Sequence, residues 1–324
     1  MRALLVVNPK ATATSQRSRD VLVRALRSEV DLTVEYTRRR DHAVTLARQA
    51  VREGMDLVVT LGGDGTVNEV VNGLMTAQPS TFDPNRPSTV EPTGPSAERL
   101  PALAVVPGGS TNVFARALGL PREWPEATSV ILDGVRLGRF RSVGLGRADD
   151  RYFTFCAGFG LDAAVIHRVE QARRRGRVST PSLYLRAMLT QYVFGSERRH
   201  PDIALELPDG IVASELATVA IQNTAPWTYI GDREVNPNPE ASFDLGLDVM
   251  AIRRLRVPST TRTVTQLLSR NTQPHGRQIL RMHDLEEFTL VAGRPQAFQL
   301  DGDYLGEREK IRFASVSAAL RVIC

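Results

Sequence analysis

The stretch Leu57-Val-Val-Thr-Leu-Gly62-Gly63-Asp64-Gly65-Thr66-Val67-Asn68-Glu69-Val70 constrains this chain more than any other. It reads as a buried strand, a tight glycine turn holding one carboxylate, and the start of a helix. Glycine suits backbone that takes φ > 0 or comes close to a ligand, because a Cβ would clash there. A turn that opens a helix presents unpaired N–H groups and a positive dipole end, which suits phosphate. The spacing is neither the Walker pattern nor GxGxxG, so a different nucleotide-binding solution is indicated. A second segment has the same construction: Leu103-Ala-Val-Val-Pro107-Gly108-Gly109-Ser110-Thr111-Asn112, then the apolar Val113, Phe114, Ala115, Ala117 and Leu118. Two such turns in one α/β region point to a nucleotide.

The first third of the chain alternates β and α. Strands are expected at Ala3–Val7, Leu32–Tyr36, Asp56–Leu61 and Ala102–Val106, and helices at Gln16–Ser28, Asp41–Glu53 and Val67–Met75. Nearly continuous apolar strands mark a parallel sheet covered on both faces. Between the glycine motifs, Gln78 to Leu100 is rich in Pro, Ser and Thr and reads as a surface loop. After about Gly134 the pattern changes to short strands at Val135–Gly144, Tyr152–Ala157, Ile203–Leu207, Ile211–Gln222, Leu245–Arg253, Phe288–Val291 and Ala297–Leu300. Helices interrupt near Leu161–Ala172 and Ser182–Phe194. The expectation is an α/β nucleotide-binding domain over 1–133 and a mostly antiparallel, β-rich substrate domain over 134–310. The cleft between two such domains is the default place for a ligand.

The segments at Gly62–Gly73 and Pro107–Pro121 resemble the diacylglycerol kinase catalytic-domain family, which includes bacterial diacylglycerol kinases and sphingosine kinases. That family is more distantly similar to NAD kinases and phosphofructokinases. The likeness runs from Asn8-Pro9 to Asp301-Gly302-Asp303, essentially the whole chain. It implies a phosphofructokinase/NAD kinase-like first domain, with residues 311–324 returning to it and the active site in the cleft. It also implies ATP and Mg²⁺ as cofactors and a lipid alcohol, foremost diacylglycerol, as phosphate acceptor.

Asp64, between Gly63 and Gly65, is read as a contact to nucleotide phosphate through Mg²⁺ or water, since hard cations take carboxylate oxygen. A turn or capping aspartate is the structural alternative. Thr66 and Glu69 have the T-x-x-E spacing of a capping box, while Asn68 is expected to project towards the phosphates. The resemblance implies nucleotide contacts at Asn8, Thr37, the turn Gly62, Gly63, Asp64, Gly65, Thr66, Asn68 and Glu69, and the second turn Gly109, Ser110, Thr111 and Asn112. Two departures stand out. No glycine follows Asn8-Pro9-Lys10-Ala11, and Val113 occupies a position that is acidic in many relatives. Ser110 or Thr111 could cap the following helix or touch the ligand.

Leu300-Asp301-Gly302-Asp303 matches the family's D-G-E turn, whose carboxylate is thought to deprotonate the acceptor hydroxyl. Asp303, one methylene shorter than Glu, is the better candidate for the base, with Asp301 orienting it or holding the turn. A D-G dipeptide is also an ordinary hairpin signal. Phe243-Asp244-Leu-Gly-Leu-Asp248 is a shortened version of a segment that holds a structural Mg²⁺ in relatives. Asp244 is the candidate ligand, although two carboxylates at a strand entrance also suit a solvated turn.

Formal charge is +5, and arginines cluster at Arg38–Arg40, Arg173–Arg175 with Arg177, and Arg253, Arg254 and Arg256. Such clusters suit nucleotide phosphates or anionic phospholipid as much as a solvated face. No RNA- or DNA-binding pattern accompanies them, so nucleic acid is not expected. No run approaches the ~18 apolar residues of a spanning helix, so membrane contact would be peripheral, at the inner face. Cys156 and Cys324 lack metal or disulfide spacing and fit a reduced, cytoplasmic setting. The reading is therefore a lipid kinase acting at the membrane surface, with a homodimer left open. An NAD kinase, which would share Gly62–Gly65, and a non-catalytic binding protein of the same fold are its rivals.

Overall fold

Three buried runs of apolar residues make the centre of the first sheet, because each can bury side chains on both faces. They are β1 (Arg2–Val7), β3 (Leu57–Gly62) and β4 (Ala102–Pro107), with β2 (Asp31–Tyr36) at the edge. All are parallel, in the order β2-β1-β3-β4. Every residue of β3 and β4 is buried, whereas β2 alternates and is half-exposed, as an edge strand with Asp31, Thr33 and Glu35 must be. The computed structural model describes residues 1–11, 15–77, 100–175, 181–194, 201–269 and 273–324. The expected loop after Met75 lies, apart from Leu100, outside these residues, as does Arg177.

The chain divides into two units, Met1–Leu145 with Val316–Cys324, and Gly146–Ser315. In the first, helices α1 (Gln16–Arg27), α2 (His42–Arg52) and α3 (Asp64–Met75) follow the sheet's first three strands. Ser15 caps α1 by accepting the Ser18 N–H at 3.2 Å. α2 and α3 approach closely at Gly73, where a Cβ would come within 2.6 Å of the Ala47 Cβ. α4 (Val113–Ala117) and α5 (Trp124–Leu137) complete the layer. The last strand returns to β4, pairing Val322 with Leu103 in parallel, and the Ile323 N–H reaches the Leu103 carbonyl at 2.9 Å.

The second unit is built on antiparallel strands, as expected. They are β5 (Cys156–Gly160), β6 (Thr218–Gln222), β7 (Leu247–Ile252), β8 (Ile279–Leu285), β9 (Glu287–Leu300) and β10 (Asp303–Val322), in the order β8-β7-β6-β5-β9-β10. Its core gathers Phe153, Phe159, Phe288, Phe298 and Phe313, with the rings of Phe288 and Phe313 stacked 5.0 Å apart. α6 (Leu161–Arg174), α7 (Pro181–Phe194) and α8 (Val257–Leu267) are its helices.

Several boundaries differ from the sequence expectation, each for a local reason. α3 begins at Asp64, three residues early, because Gly63 already takes the cap position. Residues 135–137 belong to α5, which stops at Gly138 in the left-handed region (φ 61°); the strand after it starts only at Arg141. The expected strand Tyr152–Ala157 breaks at Thr154 and Phe155, whose N–H groups turn to the Asp301 carboxylate. Phe288–Val291 and Ala297–Leu300 are one strand with a register shift between Val291 and Gln296.

Candidate active site

The residues singled out in the first unit gather at the C-terminal ends of the parallel strands. Asn8 follows β1, Thr37 follows β2, Gly63 follows β3 and Gly108 follows β4. Backbone bonds of 2.9 Å carry the ladder one step further: Asn8 N–H to Leu61, Thr37 N–H to Val7, and Gly108 N–H to Gly62. The chain leaves β1 in one direction to β2 and crosses it in the other to β3, so Asn8 and Gly63 flank the topological switch point. Ligands of open α/β sheets bind outside this edge. Asn8 ties the neighbouring loops together, since its Nδ2 donates to Thr66 Oγ1 at 3.1 Å and its Oδ1 accepts the Lys10 N–H at 3.0 Å. That Asx turn does without the glycine usual at this loop.

The glycines serve close packing rather than positive φ. None of Gly62, Gly63, Gly65, Gly108 and Gly109 lies in the left-handed region. Instead the two turns stack backbone on backbone. A Cβ on Gly109 would lie 2.7 Å from Gly63 Cα, and one on Gly108 would lie 2.9 Å from Gly62 N. The motifs are therefore one structure contributed by two segments.

Asp64 joins them further. Its Oδ2 accepts the Val113 N–H at 3.0 Å and its Oδ1 the Phe114 N–H at 3.1 Å, so it caps α4 from another segment. Neither Ser110 nor Thr111 takes that cap: Asn112 stands at the cap position (φ 51°) and makes no capping bond. Its side chain braces the turn instead, accepting the Gly109 N–H at 2.8 Å and donating to the Gly109 carbonyl at 2.9 Å. Val113, noted above as a departure from the family pattern, is 2% exposed. Ser110 is exposed and Thr111 half-buried, so both remain available to a ligand.

Two expectations on α3 are corrected. Thr66 and Glu69 form no capping box, because α3 starts before Thr66; Glu69 instead accepts the Ala43 N–H at 3.1 Å, near the start of α2. Asn68 does not project outward. It is 2% exposed and its Oδ1 accepts from Asn72 at 3.1 Å.

In the second unit, Asp301 (φ 47°) and Gly302 (φ 82°) form the two-residue turn between Leu300 and Asp303. Positive φ at both is the hairpin geometry that favours Asp-Gly. Asp301 is 5% exposed and its carboxylate accepts four bonds: Thr154 N–H at 2.7 Å, Thr154 Oγ–H at 2.8 Å, Phe155 N–H at 3.0 Å and Cys156 N–H at 3.1 Å. It holds the turn. Asp303 is half-buried on the strand that leaves it.

Asp244 and Asp248 occupy different surroundings. Asp248 is 1% exposed, taking the His283 Nδ1 at 2.8 Å and the Asp284 N–H at 3.0 Å, while Asp244 is exposed. The solvated-turn alternative thus fails for Asp248. Among the described residues no three acidic, His or Cys side chains are placed to hold a metal. The hydrogen bond to Asp248 raises the His283 pKa.

One residue went unnoticed in the sequence. Burial pushes the Asp162 carboxyl up to about 6, against a hydrogen bond from Gln299 that lowers it. Its only sequence signal is an acid in an apolar run directly after Cys156–Gly160.

Residues 2–146 match the diacylglycerol kinase catalytic domain. A diacylglycerol kinase of Bacillus subtilis is 26% identical over 313 residues, 94% of this chain and 90% of that protein. A protein of Chromohalobacter salexigens named "Probable lipid kinase YegS-like" is 33% identical over 171 residues, 53% of this chain and 48% of that protein. In structure, a diacylglycerol kinase from Bacillus anthracis superposes with a TM-score of 0.71 at 19% identity, covering 99% of this chain and 96% of that one. An NAD kinase from Archaeoglobus fulgidus, solved in complex with ATP, gives 0.51 at 11% identity, covering 100% and 94%; at such identities the likeness is one of fold. The match to the diacylglycerol kinase catalytic domain thus lies in residues 2–146, and the relatives are named diacylglycerol kinase and probable lipid kinase. Among the described residues no helix is long and apolar enough to cross a membrane.

Proposed function

We propose that the protein transfers the γ-phosphate of ATP to the hydroxyl of a lipid alcohol, with diacylglycerol as acceptor and phosphatidic acid as product. The observation that carries this reading is the stacked pair of glycine turns at Gly63 and Gly109, within the residues matched to the family. Backbone N–H groups of these turns, with the hydroxyls of Ser110 and Thr111, would hold the phosphates, and Asn8 and Thr37 lie on neighbouring strand ends. Mg²⁺ commonly binds through one or two carboxylates plus substrate phosphates. Asp64 is the carboxylate of the first glycine turn and would be the group to meet such an ion, from a position fixed by the Val113 and Phe114 N–H groups that it accepts. The ion would neutralise phosphate charge.

In the transfer, the acceptor oxygen attacks the γ-phosphorus in line, the bond to the bridging oxygen breaks, and ADP leaves. Asp303 takes the hydroxyl proton; Asp301, with four hydrogen bonds already accepted, is the turn's anchor. Catalysis rests mainly on positioning and charge neutralisation. The exposed arginines at 38–40, with Arg254 and Arg256, would draw the protein to anionic phospholipid at the membrane's inner face.

The test is phosphorylation of a lipid extract with labelled ATP, run beside NAD as acceptor. Labelled phosphatidic acid supports the reading. A different labelled lipid reassigns the acceptor, labelled NADP moves the protein to the NAD kinases, and no transfer at all leaves a binding protein.

A further inference from the structure

We infer that helix α6 positions Asp303, through Asp162 and Gln299 on one side of it and through Glu170 on the other. The inference rests on Asp303 being the base of the proposed reaction. A base must be held within about 1 Å of its working place. Here the N–H groups of the residues on either side of Asp303 are held. The Gly302 N–H donates to Gln299 Oε1 at 2.9 Å, and the Tyr304 N–H donates to Glu170 Oε1 at 3.0 Å.

Gln299 is itself fixed. It is 1% exposed, and its Nε2 donates to Asp162 Oδ2 at 3.0 Å. An ionised carboxylate can only accept. Asp162 therefore obliges Gln299 to turn its NH₂ towards α6 and its oxygen towards Gly302. The residue opposite Gln299 in the ladder is Gly158, where any Cβ would run into Asp162 Oδ2 and lie 2.8 Å from Gln299 Nε2. Glycine is what leaves the pair its space. The same helix seats the residue after Asp303, since the His167 and Tyr304 rings lie 4.0 Å apart and Ala163, Ala164 and Ala297 pack with Tyr304. Protonation of Asp162, whose carboxyl is pushed up to about 6, removes the obligation on Gln299.

The experiment measures kcat, KM for ATP and thermal transitions for Asp162→Ala, Glu170→Ala, Glu170→Gln and Asp162→Asn, with Asp303→Asn alongside. The alanine variants should lose roughly 10- to 100-fold in kcat, as misplacement does, with KM for ATP unchanged. Glu170→Gln keeps an acceptor oxygen and should recover kcat. Asp162→Asn should lack the inflection in the pH profile of kcat near 6. Folded alanine variants with full kcat, beside an inactive Asp303→Asn, overturn the inference alone. If the alanine variants do not fold, the conservative pair decides, and a wild-type pH profile in Asp162→Asn overturns it. An Asp303→Asn enzyme with full turnover, or a wild-type protein that phosphorylates no lipid, fails the underlying reading, and the inference falls with it.

Discussion

Asp64 Oδ2 lies 3.0 Å from the Val113 nitrogen, so a carboxylate of the first glycine motif closes the start of the helix that follows the second. One residue thus serves two segments, and its substitution has two consequences. Asp64→Ala removes the acceptors of two N–H groups, and stability should fall by ~1–3 kcal/mol. Phosphate transfer should fall on the order of 10²–10⁴-fold, as on loss of a principal charge-positioning group. Asp64→Asn keeps one acceptor oxygen and should recover part of the stability without the activity. Thermal melts beside turnover assays separate the two effects. Near-normal turnover in folded Asp64→Ala would leave Asp64 as a cap alone.

The stacked turns predict an order among glycine substitutions. A Cβ at Gly109 would lie 2.7 Å from backbone, whereas one at Gly63 would lie 3.3 Å away. Overpacking of this kind costs ~1–3 kcal/mol. Gly109→Ala should therefore weaken ATP binding more than Gly63→Ala, as measured by calorimetric titration. The reverse order would mean that the turns move apart freely.

The two acids of the hairpin should part in their effects. Asp301→Asn replaces an acceptor of four hydrogen bonds with a group that can accept only on one atom, and should lower the melting temperature sharply. Asp303→Asn should stay folded and lose lipid phosphorylation by ~10²–10⁴-fold, as for removal of a general base, with ATP affinity kept. If Asp303→Asn keeps full activity and a folded Asp301→Asn is dead, the base is Asp301.

His283 gives a pH-dependent contribution to stability. Its folded pKa is raised, chiefly by the hydrogen bond to Asp248, above an unfolded value of about 6.5. The contribution is therefore complete below the unfolded value and is lost as pH rises through the folded one. The stability difference between wild type and His283→Ala should be larger at low pH than at alkaline pH. Denaturant titrations across that range test it, and a pH-independent difference refutes it.

If the arginine clusters meet anionic phospholipid, vesicle binding should rise with anionic lipid content and fall with salt, since the screening length shrinks to ~3 Å at 1 M. Sedimentation with vesicles of graded charge reads this directly. Binding indifferent to both would exclude these clusters as membrane contacts.

Much was legible in the sequence because it is written in local terms. The continuous apolar runs at Leu57–Leu61 and Ala102–Val106 dictate buried parallel strands, and Asp301-Gly302 dictates a tight hairpin turn. The motifs at Gly62–Gly73 and Pro107–Pro121 carry the resemblance that the match over residues 2–146 bears out. What the polar residues do was a different matter, because their partners lie far along the chain. Thr66 and Glu69 have the spacing of a capping box, yet Glu69 meets Ala43 and Thr66 meets Asn8. Asp301 was read as orienting Asp303 or holding the turn, and only Thr154, Phe155 and Cys156, some 145 positions away, decide for the turn by delivering their N–H groups to it. Sequence alone determined the strands, the glycine turns and the likeness to a kinase family, since hydrophobic periodicity and backbone permissiveness are properties of neighbours in the chain. Only the tertiary structure decided which donors each buried carboxylate holds, because such a group takes whichever donors folding brings to it.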